Sequence, residues 1–173
     1  PDGLAGVIIT GSHAMVTEHH EWSEQSAKWI RHVVERSIPV LGICYGHQLL
    51  AYAFGGKVGN NQNGQEFGTT PVQVCENALD DPLFQSLPTT FPVHVSHTQS
   101  VLKLPSEAHT LAVSERDPHQ AFVINECAWG VQFHPEFDVE ITREYIRAYA
   151  TQLTLQGVNP QQLAYNCKAT PES

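Results

Sequence analysis

The chain has 173 residues, 41% of them hydrophobic, and a formal charge of -9 from 18 acidic against 9 basic side chains. That length suits a single domain with a full core, expected to span residues 1–173. So few Lys and Arg argue against nucleic acid or an anionic membrane as partner, and no apolar run is long enough to span a bilayer.

Residues 6–10, GVIIT, form a short apolar run closed by Gly11, as expected of a strand buried on both faces. The chain opens almost directly on this pattern, so a flanking element is expected upstream. Trp22, Trp29, Ile30, Val33 and Val34 fall at helical offsets and predict an amphipathic helix. Residues 39–43, PVLGI, predict a second buried strand, and GHQLLAYAFGG a helix that ends at Gly55 and Gly56. Strand, helix, strand, helix in this order implies a parallel sheet with right-handed crossovers.

Shorter strands are expected near 69–75, 92–97, 109–114, 120–125 and 128–134, with antiparallel pairs among them and NEC turning between the last two. Residues 138–156 return to a helical pattern. At the end, Thr170, Pro171 and Glu172 are start signals for a further helix, so segments are expected to be missing at both termini. The fold expected is α/β: an open, mainly parallel sheet flanked by helices, with a small antiparallel insertion.

In α/β sheets ligands gather outside the carboxyl ends of the strands. Cys44 sits at such an end, in GICYG, where Gly42 and Gly46 remove side chains that would clash in a sharp strand-to-helix turn. This is the logic of a nucleophile elbow with sulfur in place of oxygen. A thiol with a pKa of about 8.5 is only about 3% thiolate at neutral pH, so the helix start and a nearby cationic histidine are expected to lower it. His134, in FHPEF, also ends a strand. Pro135 keeps it extended, so Glu136 can point the same way and fix the tautomer of the ring. Alone, Cys44 reads more readily as a buried packing thiol and HPE as a polar turn; together, at two strand ends, they read as a catalytic pair with an orienting carboxylate. The other cysteines, Cys75, Cys127 and Cys167, show no CxxC pairing, and no secretory leader pattern is present, so free thiols and a cytoplasmic location are expected.

At these residues the chain resembles the class I glutamine amidotransferases, the Cys-His-Glu family. The resemblance runs in order through GVIITGS, PVLGICYGHQLLAYAFGGKV, QEFG, VSHTQSV and GVQFHPEF. Within the family it is most similar to the glutaminase domain of GMP synthases and its stand-alone relatives, and the tail resembles the latter. The resemblance implies a flavodoxin-like fold in which Cys44 attacks the side-chain amide of glutamine. His134 then serves as acid and base and Glu136 orients it. It also implies an oxyanion hole from the backbone N–H groups of Ser12 and Tyr45, and substrate contacts at Gly11, Gln48 and the backbone of Ser96, His97 and Thr98. Gln48 could instead be a solvated helix residue. The family usually has Gly-Gly-Pro where this chain has Gly11, Ser12 and His13, which makes any positive φ there less comfortable.

His47 reads as a packing residue. His94 and His97 should face opposite sides of a strand with no accompanying carboxylate or thiolate set, so no metal is expected. No G-x-x-x-x-G-K-[ST] motif is present, so no cofactor is expected and nucleotide activation is assigned to another chain. The leading expectation is a glutaminase that passes ammonia to a synthetase or other acceptor enzyme. The alternatives are a γ-glutamyl peptidase, and a noncatalytic binding or regulatory subunit whose Ser12–His13 loop blocks the oxyanion site. The oligomeric state is left open.

Overall fold

Val7–Ile9 (β1) and Val40–Ile43 (β2) pair in parallel, with Val7 opposite Val40 and Ile9 opposite Gly42. Glu21–Val34 (α1) makes the crossover between them, and Tyr45–Ala53 (α2) follows β2 after a single residue. This computed structural model describes residues 3–170, so the helix start expected at Pro171 and Glu172 lies outside the described residues. On α1 the buried positions are Ser23, Ala27, Ile30, Val33 and Val34, while Trp22 and Trp29 stay 48% and 43% exposed. The two tryptophans border the apolar stripe rather than centre it. As expected, α2 ends near Gly55, whose φ of 86° suits glycine.

Glu66–Val74 (β4), Thr90–His97 (β5), Ala108–Val113 (β7), Ala121–Ile124 (β8) and Ala128–Val131 (β9) complete a seven-stranded sheet in the order β1-β2-β9-β8-β7-β4-β5. The α/β class is as expected, although parallel pairing is confined to β1, β2 and β9, and the antiparallel strands continue the same sheet instead of forming a small insertion. The reason is local. Asn125 and Glu126 take φ of 50° and 55°, a tight primed-type turn that sends β9 back antiparallel to β8 while its other edge lies parallel to β2.

Lys57–Asn60 (β3) and Gln99–Lys103 (β6) form a separate antiparallel pair. Neither shows a clear apolar alternation, which is why the sequence pattern does not reveal them. One core lies between the sheet and helices α1 and α2, with Val40, Leu50, Phe122 and Ile124 inside it. A second lies on the opposite face around Ile43, Val72, Phe84, Leu111 and Val131.

The helical pattern over 138–156 is divided at Tyr149 into Val139–Ala148 (α3) and Ala150–Leu155 (α4). Asp138 caps α3 by accepting a 2.7 Å bond from the Ile141 N–H. Pro160–Tyr165 (α5) follows, capped by Asn159 with Pro160 at its first position, a start signal visible in the sequence. These three helices bury Ile146, Leu153 and Cys167 against Phe67. No helix among the described residues is long and apolar enough to cross a membrane.

This topology sets the carboxyl ends of β1, β2 and β9 side by side. A Cβ on Gly46 would stand 2.2 Å from the Ile9 carbonyl oxygen, so α2 meets β1 only because position 46 has no side chain. Gly46→Ala is expected to cost about 3 kcal/mol, whereas Gly157→Ala, at φ 78° with open space around it, should cost about 1 kcal/mol; urea unfolding midpoints check the difference.

Candidate active site

Cys44 occupies the single residue between β2 and α2, with φ 51° and ψ -99°. A non-glycine residue rarely takes positive φ, and this ψ lies outside even the small left-handed well. The neighbours hold it there. The Cys44 N–H donates to the Val131 carbonyl at 2.9 Å, and its own carbonyl accepts from the Gln48 N–H at 3.1 Å. A Cβ on Gly42 would lie 2.5 Å from the Gly46 carbonyl oxygen, so both glycines of GICYG are required by the turn. Tyr45 then begins α2, where a backbone N–H has no partner within the helix.

His134 lies just beyond β9, and its backbone N–H donates to the His94 carbonyl of β5 at 2.8 Å. Its Nδ1 is 2.8 Å from Glu136 Oε1, which turns the other nitrogen toward its side-chain hydrogen-bond partner, Cys44. Gly11 closes the third side. A Cβ there would be 3.2 Å from His134 Cε1 and 3.8 Å from Cys44 Cβ. Burial pushes the His134 pKa down, but the hydrogen bonds to Cys44 and Glu136 outweigh it and raise the ring to about 9. Burial likewise would raise the Glu136 carboxyl, yet the bond from His134 holds it below the usual carboxylate range.

The three side chains open onto a cavity of about 400 Å³. Every residue singled out from the sequence lines it: Gly11, Ser12, Cys44, Tyr45, Gln48, Ser96, His97, Thr98, His134 and Glu136. Neither Ser12 nor His13 takes a positive φ, so the loop that departs from Gly-Gly-Pro is unstrained in this respect. The Ser12 hydroxyl accepts from the Ala14 N–H at 3.1 Å, and His13 Nδ1 lies 3.1 Å from the Tyr149 hydroxyl. Gln48 is buried rather than solvated. Its amide nitrogen donates to the Gln99 carbonyl at 2.8 Å and to Gln132 Oε1 at 3.0 Å.

Glu66 escapes the motif reading. It stands directly opposite His97 in the β4–β5 ladder and is buried with it. Its carboxylate lies 3.0 Å from His97 Nε2 and accepts from Gln120 Nε2 at 2.7 Å and from the Ser114 hydroxyl at 3.0 Å. His97 Nδ1 in turn faces the Gln99 carbonyl at 3.0 Å, so the segment lining the cavity is clamped from behind. A carboxylate set therefore does accompany His97: donor atoms of Glu66, His97 and Asp117 lie within 4.8 Å of one another. Glu66 and His97 are already bonded to each other, so this cluster is accounted for as a buried hydrogen-bonded pair. The QEFG segment and the cross-strand register together were the signal for it. His47 packs on Phe122 with ring centroids 4.7 Å apart, and complete burial lowers its pKa to about 4.

The sequence profile of the family described as "Glutamine amidotransferase class-I" matches residues 2–150. The chain is 44% identical over 132 residues to a glutamine-hydrolyzing GMP synthase of Thermosipho melanesiensis, covering 75% of this chain and 24% of that one. It is 36% identical over 133 residues to one of the subunits of the glutamine-hydrolyzing GMP synthase of Pyrococcus abyssi, covering 76% of this chain and 66% of that one. The chain thus spans about a quarter of the length of a full synthase. Among solved structures it superposes on a glutamine amidotransferase from Thermotoga maritima with a TM-score of 0.76 at 28% identity, covering 91% of this chain and 68% of that one. The order of motifs, the sheet and the profile match agree: the chain belongs to the class I glutamine amidotransferases.

Proposed function

We propose that this domain hydrolyses the side-chain amide of glutamine and passes the ammonia to an acceptor enzyme on another chain. The observation that supports this reading is the line from Cys44 through His134 to Glu136 at the mouth of one cavity. The Cys44 sulfur attacks the amide carbon, forming a C–S bond, and the developing oxyanion is met by the backbone N–H groups of Ser12 and Tyr45. The C–N bond then breaks as the leaving nitrogen takes the His134 proton. Water attacks the thioester and the now neutral ring takes its proton; the C–S bond breaks, glutamate departs, and the unprotonated sulfur and protonated ring that began the cycle are restored. A ring with a pKa of about 9 enters the first step as the acid that ammonia needs.

In this reading the backbone of Ser96, His97 and Thr98 receives the amino-acid end of glutamine, and the Gln48 oxygen accepts from it. The acceptor partner follows the relatives: one is named a synthase and another is named as part of one, both glutamine-hydrolyzing. The cytoplasm is the compartment that suits such a partner.

Cys44→Ala should lower glutamate release from glutamine by more than about a thousandfold, measured by a coupled glutamate assay; a variant that retains turnover would exclude the thiol as nucleophile. The His134 ring carries the second test. Its pKa in the folded chain is raised from 6.5 to about 9, so the pairing contributes stability that is fully present below about pH 6.5 and is lost as pH rises through about 9. Glu136→Gln removes one of the groups that raise it. The His134 midpoint, followed by the imidazole Cε1 proton resonance, should fall, and the alkaline limb of the rate profile should move down with it. An unchanged midpoint would show that Glu136 does not sustain the charged ring.

A further inference from the structure

The cavity continues beyond the three reacting side chains along a wall of rings. Phe137 stacks on His134 with centroids 4.0 Å apart and an interplanar angle of 13°. Tyr145 lies 4.8 Å beyond Phe137, and His13 stacks on Tyr145 at 6.3 Å and 12°. The wall is drawn from two places in the chain. Phe137 follows Glu136 directly and Tyr145 projects from α3, while His13 belongs to the loop after β1. All three rings line the cavity, and Phe137 and Tyr145 are only half-buried, so part of each ring stays open to it although Phe137 is stacked on His134 and Tyr145 also stacks on Tyr149.

The position of this wall follows from the chemistry. His134 hands its proton to the leaving nitrogen, so that nitrogen must lie against the ring. A group attached to the nitrogen is carried past His134 along Phe137 and Tyr145. Flat rings can meet these ring edges in edge-to-face contact, and apolar chains bury area against them. Ammonia itself makes no use of it. Among the described residues lining the cavity there is no Lys or Arg, so no permanently charged cation there pairs with the carboxylate that a peptide would carry at this point.

We infer that Phe137, Tyr145 and His13 form a leaving-group subsite for γ-glutamyl amides of uncharged aromatic or apolar amines. The inference rests on the glutamine-hydrolase reading of Cys44 and extends it to N-substituted amides. The bonds balance as for glutamine: a C–S bond replaces the C–N bond, the amine departs with the His134 proton, and water then releases glutamate.

Hydrolysis of glutamine, γ-glutamylbenzylamide and γ-glutamylglycine by the wild-type chain and by Tyr145→Ala, Tyr145→Leu and Tyr145→Phe tests it. The benzylamide should be cleaved with kcat/KM at least about tenfold above that of γ-glutamylglycine. Tyr145→Ala should lower the benzylamide-to-glutamine ratio of kcat/KM by about tenfold, and Tyr145→Phe should restore it. Should the alanine variant lose both turnovers through misfolding, the leucine variant supplies the same ratio. Cleavage of glutamine without cleavage of the benzylamide, or a ratio that ignores Tyr145, overturns the subsite while leaving the glutaminase reading standing. Failure to cleave any of the three substrates overturns both.

Discussion

The site depends on one strained residue. Cys44, at φ 51° and ψ -99°, occupies a conformation that costs a non-glycine residue on the order of 1–3 kcal/mol and persists only where the surroundings over-determine it. Here they do so through backbone. The Val131 carbonyl takes the Cys44 N–H, and α2 begins at the next residue with Gly46 against the Ile9 carbonyl. Three neighbouring strands, β1, β2 and β9, are thereby joined at one corner. A glycine at position 44 would suit the turn better, and the chain keeps a thiol there. Strain retained at a cavity mouth supports the proposal that the side chain is used.

Around that corner the supports are polar and buried. β5 contributes the His94 carbonyl that holds the backbone of His134, and its last residue, His97, is tied to Glu66 across the ladder. A single carbonyl, that of Gln99, accepts from both the Gln48 amide and His97 Nδ1. It couples the helix behind the nucleophile to the strands that floor the cavity. Were that carbonyl to turn away, the Gln48 amide and the His97 ring would each lose a buried hydrogen bond, at a cost of about 1–3 kcal/mol each.

The residues proposed to react were legible because each is marked by its own backbone requirement. Gly42 and Gly46 announce a close approach, and Pro135 an extended residue before it. The helix α2, with Gly55 at its end, was legible for the same reason. What remained hidden depends on register. Glu66 and His97 are 31 residues apart and meet only because β4 and β5 pair with those two positions opposed. β3 and β6 carry lysines, glutamine and asparagine in place of an apolar alternation, and their partners are set by the chain on either side. The turn at Asn125 and Glu126 is visible in NEC, but that β7, β4 and β5 continue the same sheet depends on pairings between strands far apart in the chain. The aromatic wall is not visible in the sequence because Tyr145 also fits the apolar side of an amphipathic helix.

The central claim is that the sulfur at this strained corner carries the γ-glutamyl group between two half-reactions. Rapid acid quenching of the protein mixed with excess glutamine, followed by mass analysis of its peptides, observes that intermediate directly. The account predicts one γ-glutamyl group on the peptide bearing Cys44, formed before glutamate accumulates and labile to hydroxylamine as a thioester is. Glutamate release with no such adduct, or an adduct on Cys75, Cys127 or Cys167 instead, would contradict it.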